Sequence, residues 1–157
     1  MKRRTQQYGC VFSYRHRKVM TPLAPLPTWG EALVSQLMTL PILDERPNTM
    51  IINEYEPGQG IMPHTDAPSI FGNAIVSLSL NSPCLMTFCH AGTGQTESVL
   101  LEPRSLVILT GPSRYDYKHS ISKDHVEVWN GHSIVRGRRV SLTFRYIPSP
   151  PRAPVPV

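Results

Sequence analysis

At 157 residues, 40% hydrophobic and 17% charged, the chain has the length of one globular domain and the composition of a soluble one. It contains no apolar run near the roughly 18–20 residues of a membrane span, and no apolar signal-type stretch follows Met1–Arg4, so an intracellular protein of the cytoplasm or nucleus is expected. Cys10, Cys84 and Cys89 are odd in number and form no C-x-x-C pair, which argues against a disulfide framework or a structural zinc site.

The net charge of +5 comes from one place. Lys2, Arg3, Arg4, Arg15, Arg17 and Lys18 stand in residues 1–18 without an acid, while the other 139 residues carry ten bases against eleven acids. A basic arm of this kind is drawn to phosphates or acidic surfaces, and a solvated terminus fits the charge equally well. Within the arm, YGCVFSY (8–14) predicts a short aromatic strand. TPLAPLP (21–27) predicts an extended linker or sheet-edge segment, because proline neither continues a helix nor donates to a central ladder. A helix is predicted over 28–40. Thr28 and Glu31 stand at capping-box spacing, Trp29, Ala32, Leu33, Leu37 and Leu40 recur on one face, and Pro41 follows.

From residue 49 onward the pattern is strand and turn, with strands predicted over 49–56, 74–80, 84–89, 97–101, 104–110 and 138–147. Short strands between Gly/Pro turns behind a single helix predict a mainly β fold, a double-sheet barrel or jelly roll backed by that helix. Residues 148–157 hold five prolines in ten and predict a disordered or polyproline II tail. The expected organisation is therefore an arm over 1–20, a barrel domain over 21–147 and a tail over 148–157.

His64-Thr65-Asp66 is the strongest local signal for chemistry. In extended backbone, residues i and i+2 point the same way, so an imidazole and a carboxylate there can converge on one cation. A third ligand must arrive from elsewhere, and His16, His90, His119, His125 and His132 are all available. Two histidines and one carboxylate on one face of an octahedron leave open positions, as non-heme Fe(II) oxygenases require. Arg139 to Arg145 alternates cleanly. Arg139, Ser141, Thr143 and Arg145 share one face, and Val140, Leu142 and Phe144 share the other. A polar face of this kind inside a barrel offers an arginine fork to a carboxylate ligand, with hydroxyls beside it. Strand 49–56 adds Asn53 and Tyr55 on one face.

Taken in order, Asn53-x-Tyr55-x-Pro57-Gly58, His64-x-Asp66, Ser113-Arg114, His119 and Arg139-x-Ser141-x-Thr143-x-Arg145 resemble the AlkB-type Fe(II)/2-oxoglutarate dioxygenases over residues 48–147. LLEPRSLVILTGP (100–112) and VRGRRVSLTFRYIP (135–148) look most like its eukaryotic branches. The resemblance implies a double-stranded β-helix, cupin-like fold with Fe(II), 2-oxoglutarate and O2. It implies iron on His64, Asp66 and His119, and the C5 carboxylate of 2-oxoglutarate on Arg139. Asn53, Tyr55 and Ser141 would hydrogen-bond the co-substrate, and Arg145 would lie beside the metal. The implied reaction is oxidative dealkylation or hydroxylation of a nucleic-acid base.

Two positions depart from the family. Pro68 stands where several repair members carry an acid against a cationic methylated base, and Ser141 stands where asparagine is common. The region upstream is also short, leaving residues 1–20 to supply a lid. Tyr8, Phe12, Tyr14 and Arg15, with Arg114, are the expected substrate contacts, aromatics to stack a flipped or single-stranded base and cations to hold its phosphates. A monomer acting on RNA is the preferred expectation. The alternatives are an oxygenase acting on a protein side chain or small molecule, and a catalytically silent binding module.

Overall fold

The computed structural model describes residues 3–13 and 18–148, with side chains left out over 11–22. Its strands are β1 (Arg4–Tyr8), β2 (Cys10–Ser13), β3 (Lys18–Pro22), β4 (Thr49–Tyr55), β5 (Ile61–His64), β6 (Ile75–Asn81), β7 (Cys84–His90), β8 (Thr96–Leu101), β9 (Leu106–Leu109), β10 (Tyr117–Ile121), β11 (Val126–Trp129), β12 (His132–Val135) and β13 (Arg139–Arg145). Two helices join them, α1 (Thr28–Leu37) and the single turn α2 (Gly111–Tyr115). A five-stranded antiparallel sheet, β1-β4-β13-β6-β9, faces a four-stranded one, β5-β10-β7-β8. This is the expected jelly roll.

Period-two alternation gives the five-stranded sheet two buried faces. Met50 and Ile52 of β4, Val76 of β6, and Leu142 and Phe144 of β13 pack outward against Leu26, Val34 and Leu37. Each such side chain taken from water contributes about 1.5–3 kcal/mol, which fixes the register of β13 between β4 and β6. The inward face meets Cys84, Met86 and Phe88 of the opposite sheet in a second core. The three cysteines are unpaired.

Several elements depart from the sequence expectation. The strand predicted over 8–14 breaks at Gly9, whose φ of +86° and approach to Asn48 leave no room for a Cβ, so two strands form. β1 becomes the edge strand beside β4, with Tyr8 opposite Met50. α1 ends at Leu37 rather than residue 40, and its N-cap is Pro27, which moves Glu31 out of the capping-box position. Glu31 instead accepts from Arg46 at 2.8 Å. The strand β10 and the hairpin β11–β12 were not predicted. The hairpin had a visible signal, since Asn130 and Gly131 take the two positive φ values of a two-residue turn between short alternating strands. Among the described residues no helix is long and apolar enough to cross a membrane.

Candidate metal centre and the pocket behind it

β5 and β10 pair so that His64 lies opposite His119, with ring centroids 4.3 Å apart. Gly60 allows this pairing, because a Cβ there would meet the carbonyls of Ile121 and Ser122. Asp66 lies two residues beyond the end of β5, in the loop that follows, so it does not share a strand face with His64 as expected. The loop nevertheless returns its carboxylate to the histidines. One ligand atom each from His64, Asp66 and His119 lies within 4.8 Å of the others. Thr65 Oγ1 donates to the Tyr117 carbonyl at 3.1 Å, tying the loop to β10.

Protonation suits these groups to a cation. His64 Nδ1 donates to the Met62 carbonyl at 2.8 Å, which leaves Nε2 as the ring nitrogen available to a cation. Burial, then the nearby His64, pushes His119 down to about 4, so it stands neutral at physiological pH. Burial alone would raise the Asp66 carboxyl. The charge of Arg145, helped by His119, His64 and Arg114, outweighs this and holds it below the usual carboxylate range. Arg145 Nη2 sits 2.9 Å from Asp66 Oδ1. Two imidazoles and one ionised carboxylate are the donor set of a two-histidine, one-carboxylate metal site.

A cavity of about 560 Å³, including its open mouth, leads from this cluster between the two sheets. Its polar wall is Asn53 and Tyr55 of β4 with Arg139, Ser141, Thr143 and Arg145 of β13. Its apolar wall includes Ile61, Met86, Val107 and Leu109. Arg139 is 1% exposed, and its Nη2 donates to Ser79 Oγ at 2.6 Å. Its Nε and Nη1 find no acceptor among the described residues. A buried guanidinium with two idle donors is costly unless an anion joins it. The residues therefore fit a carboxylate ligand reaching from the metal cluster toward Arg139.

The expected substrate contacts fare differently. Tyr8 packs against the helix-side core, away from the cavity. Arg114 is 1% exposed and spends its donors on main-chain carbonyls, so it cannot touch a substrate. The Phe12 side chain, Tyr14 and Arg15 lie outside the described residues. Arg3, not singled out from the sequence, does line the cavity and donates to Asn53 Oδ1 at 3.1 Å. Its position follows from the parity of β1, where Thr5 lies opposite Asn53 and alternate residues face inward. His90, His125 and His132 take no part in the cluster.

A model of the 2OG-Fe(II) oxygenase superfamily matches residues 2–145. The chain belongs to that superfamily. Fe(II), 2-oxoglutarate and O2 are the cofactors of this family, and the relatives include several AlkB homologues. It is 36% identical over 168 residues to the macaque (Macaca fascicularis) tRNA (carboxymethyluridine(34)-5-O)-methyltransferase ALKBH8, covering 95% of this chain and 25% of that one. It is 41% identical over 96 residues to the mouse mitochondrial alpha-ketoglutarate-dependent dioxygenase alkB homolog 7, covering 60% and 43%. An uncharacterized mimivirus protein, L905, is 35% identical over 123 residues, covering 78% and 59%. The chain thus spans between a quarter and three fifths of these relatives. Among solved structures, OsALKBH1 superimposes with a TM-score of 0.63 at 17% identity, covering 92% of this chain and 78% of that one, a likeness of fold.

Proposed function

We propose that this AlkB-type oxygenase uses Fe(II), 2-oxoglutarate and O2 to demethylate or hydroxylate a modified base, in RNA rather than DNA. The observation that carries the catalytic part is the pairing, in one cavity, of the His64–Asp66–His119 cluster with the half-satisfied guanidinium of Arg139. Iron with 2-oxoglutarate, when bound, supplies the oxidising power that inserts oxygen into a C–H bond as the keto acid leaves as succinate and CO2. His64 and His119 offer lone pairs and Asp66 a charge, all from one side, which leaves the other side for ligands. Arg145 keeps Asp66 ionised. Arg139 takes the distal carboxylate of 2-oxoglutarate, with Asn53, Tyr55 and Ser141 beside it. The apolar wall keeps water from the reacting end, where fixed charges act more strongly.

The nucleic-acid part is supported by the basic residues of the N-terminal segment and by the tRNA-modifying protein among the relatives. The methyltransferase activity in that protein's name belongs to a chain of which this one matches a quarter. The barrel over 21–147 and a tail over 148–157 remain the proposed organisation, but the arm over 1–20 joins the barrel's main sheet through β1 and brings Arg3 to the cavity, where it would act as a partial lid. A second reading, oxidation of a protein side chain or small molecule, draws on Pro68 and on Tyr8, which faces the helix-side core.

The test is succinate formation from 2-oxoglutarate by iron-loaded protein, with total tRNA, mRNA and alkylated DNA as separate additions and nucleoside mass spectrometry as readout. Stimulation by tRNA or mRNA with loss of one modified nucleoside is expected, and His64→Ala abolishes it. Turnover that no nucleic acid stimulates favours the second reading.

A further inference from the structure

Arg114, expected from the sequence to hold substrate phosphates, is instead among the most buried of the described side chains. It projects from α2, a single turn closed by Ser113, whose Oγ accepts from the Thr110 amide at 3.1 Å and donates to the Thr110 carbonyl at 2.8 Å. Its guanidinium is ringed by carbonyls of residues 66–72. Nη1 donates to Asp66 O at 2.6 Å, Nη2 to Phe71 O at 3.2 Å and, weakly, to Ala67 O at 3.5 Å, and Nε to Gly72 O at 3.3 Å. The shortest of these contacts is to the main chain of Asp66 itself.

Carbonyl dipoles that converge on one point repel each other unless a cation sits among them, and each would cost about 1–3 kcal/mol if left buried and unpaired. A planar fork of five N–H donors can serve several acceptors at once. A lysine ammonium, with three donors at one point, cannot serve this set. The loop needs such a device because Asp66 lies past the last residue of β5, where no strand ladder holds it. The far end of the loop is pinned separately. Glu45 Oε2 accepts from the Asn73 amide at 2.7 Å, and Tyr115, next to Arg114, donates through its hydroxyl to Asn73 Oδ1 at 3.1 Å.

We propose that Arg114 is a positioning residue for the metal centre. It folds residues 66–72 around its guanidinium and so sets the direction in which Asp66 presents its carboxylate to His64 and His119. This rests on the reading of that cluster as the iron site. Arg114 touches neither metal nor substrate, and it acts through the Asp66 backbone.

Co(II) binding to the full chain, followed by its visible absorption, tests this with a readout that is not activity. Arg114→Lys keeps the charge but loses the fork. It is expected to weaken Co(II) binding by at least about tenfold and to change the absorption envelope, the scale of loss seen when groups behind metal ligands are altered. Arg136→Lys is the control. Arg136 is also buried, but it pairs with Glu127 at 3.3 Å and donates to the Gln59 and Ser122 carbonyls, before the start of β5 and after the end of β10, and reaches no carbonyl of the Asp66 loop. Its replacement lowers the melting temperature and leaves Co(II) affinity and spectrum unchanged. If Arg114→Lys is too unstable to purify, Glu45→Ala decides, with about a threefold weakening expected from release of the far end of the loop. Folded Arg114→Lys, or Glu45→Ala in its stead, with wild-type Co(II) affinity and spectrum overturns the proposal. Wild-type protein that binds no Co(II), or binds it equally after His64→Ala, overturns the iron reading itself.

Discussion

Arg114 and Arg139 are equally buried and differ in what surrounds their donors. Arg114 is ringed by four main-chain carbonyls, and Arg139 has one serine hydroxyl with two nitrogens left idle. Burial of a guanidinium is unfavourable in both places, since removing it from water costs several kcal/mol before any partner is counted. Around Arg114 the protein itself returns that cost. Around Arg139 the described residues do so in part, through the Ser79 hydroxyl and the face of the Tyr55 ring 5.4 Å away, and a carboxylate ligand would supply the remainder. A satisfied buried charge thus marks a fixed piece of scaffold, and a half-satisfied one marks a binding site.

This contrast predicts opposite responses to the same substitution. Arg139→Met removes an under-paired charge and fills the space with apolar volume, so the ligand-free protein is expected to unfold within about 1 kcal/mol of wild type, or later. Its affinity for 2-oxoglutarate falls by about 100-fold, the scale of two charge-assisted hydrogen bonds of about 1.5 kcal/mol each. Arg114→Met strands the carbonyls of Asp66, Phe71 and Gly72 and is expected to lose roughly 3–5 kcal/mol of stability. Urea unfolding of both variants and calorimetric titration of 2-oxoglutarate, with a redox-inert metal present, check the pair. Arg139→Met with a large loss of stability and unchanged affinity breaks the distinction.

Acid sharpens it further, because the buried His119 takes up a proton far less readily than an ordinary histidine. Its pKa in the folded, metal-free protein lies near 4, against 6.5 for an ordinary histidine. The unfolded chain therefore binds a proton between these values that the folded one refuses. Stability is complete above pH 6.5 and falls as the pH drops toward 4, by up to about 3 kcal/mol. Asp66, held below its ordinary range, adds a loss of the same sign at still lower pH. Urea melts with chelator at pH 7, 5.5 and 4.5 measure the effect, which His119→Gln is expected to flatten. A stability independent of pH over that span would mean that His119 is not buried as a neutral group.

The alternation of β13 was legible in the sequence because its period is shared by the backbone. The odd residues from Arg139 to Arg145 line the cavity, and Leu142 and Phe144 meet α1. Asn53 and Tyr55 were legible for the same reason. Arg114 was not, because its acceptors are backbone carbonyls some forty residues away in sequence, and backbone groups carry no side-chain signature. Asp66 was read as a ligand correctly grouped with His64 but on the wrong support, since spacing alone cannot tell a strand face from a loop held by a distant arginine. Tyr8, expected as a substrate contact, pairs across the ladder with Met50 and shares its outward face, a register that composition alone does not reveal.

The smallest expected effect concerns the hydrogen-bond acceptor that Arg139 has among the described residues. Ser79 is 1% exposed on β6, directly across from Ser141 on β13, and its hydroxyl accepts from Arg139 Nη2. Ser79→Ala leaves that nitrogen idle whether or not a ligand is bound, so most of the loss cancels from the binding equilibrium and appears in stability instead. The ligand-free protein is expected to lose about 1 kcal/mol, and the affinity for 2-oxoglutarate to weaken by no more than about threefold as the fork loses its aim. Unfolding and titration of this variant beside Arg139→Met distinguish aiming from contact. An affinity as low as that of Arg139→Met would mean that the Ser79 hydroxyl itself touches the co-substrate, and that the pocket reaches deeper between β6 and β13 than its lining residues indicate.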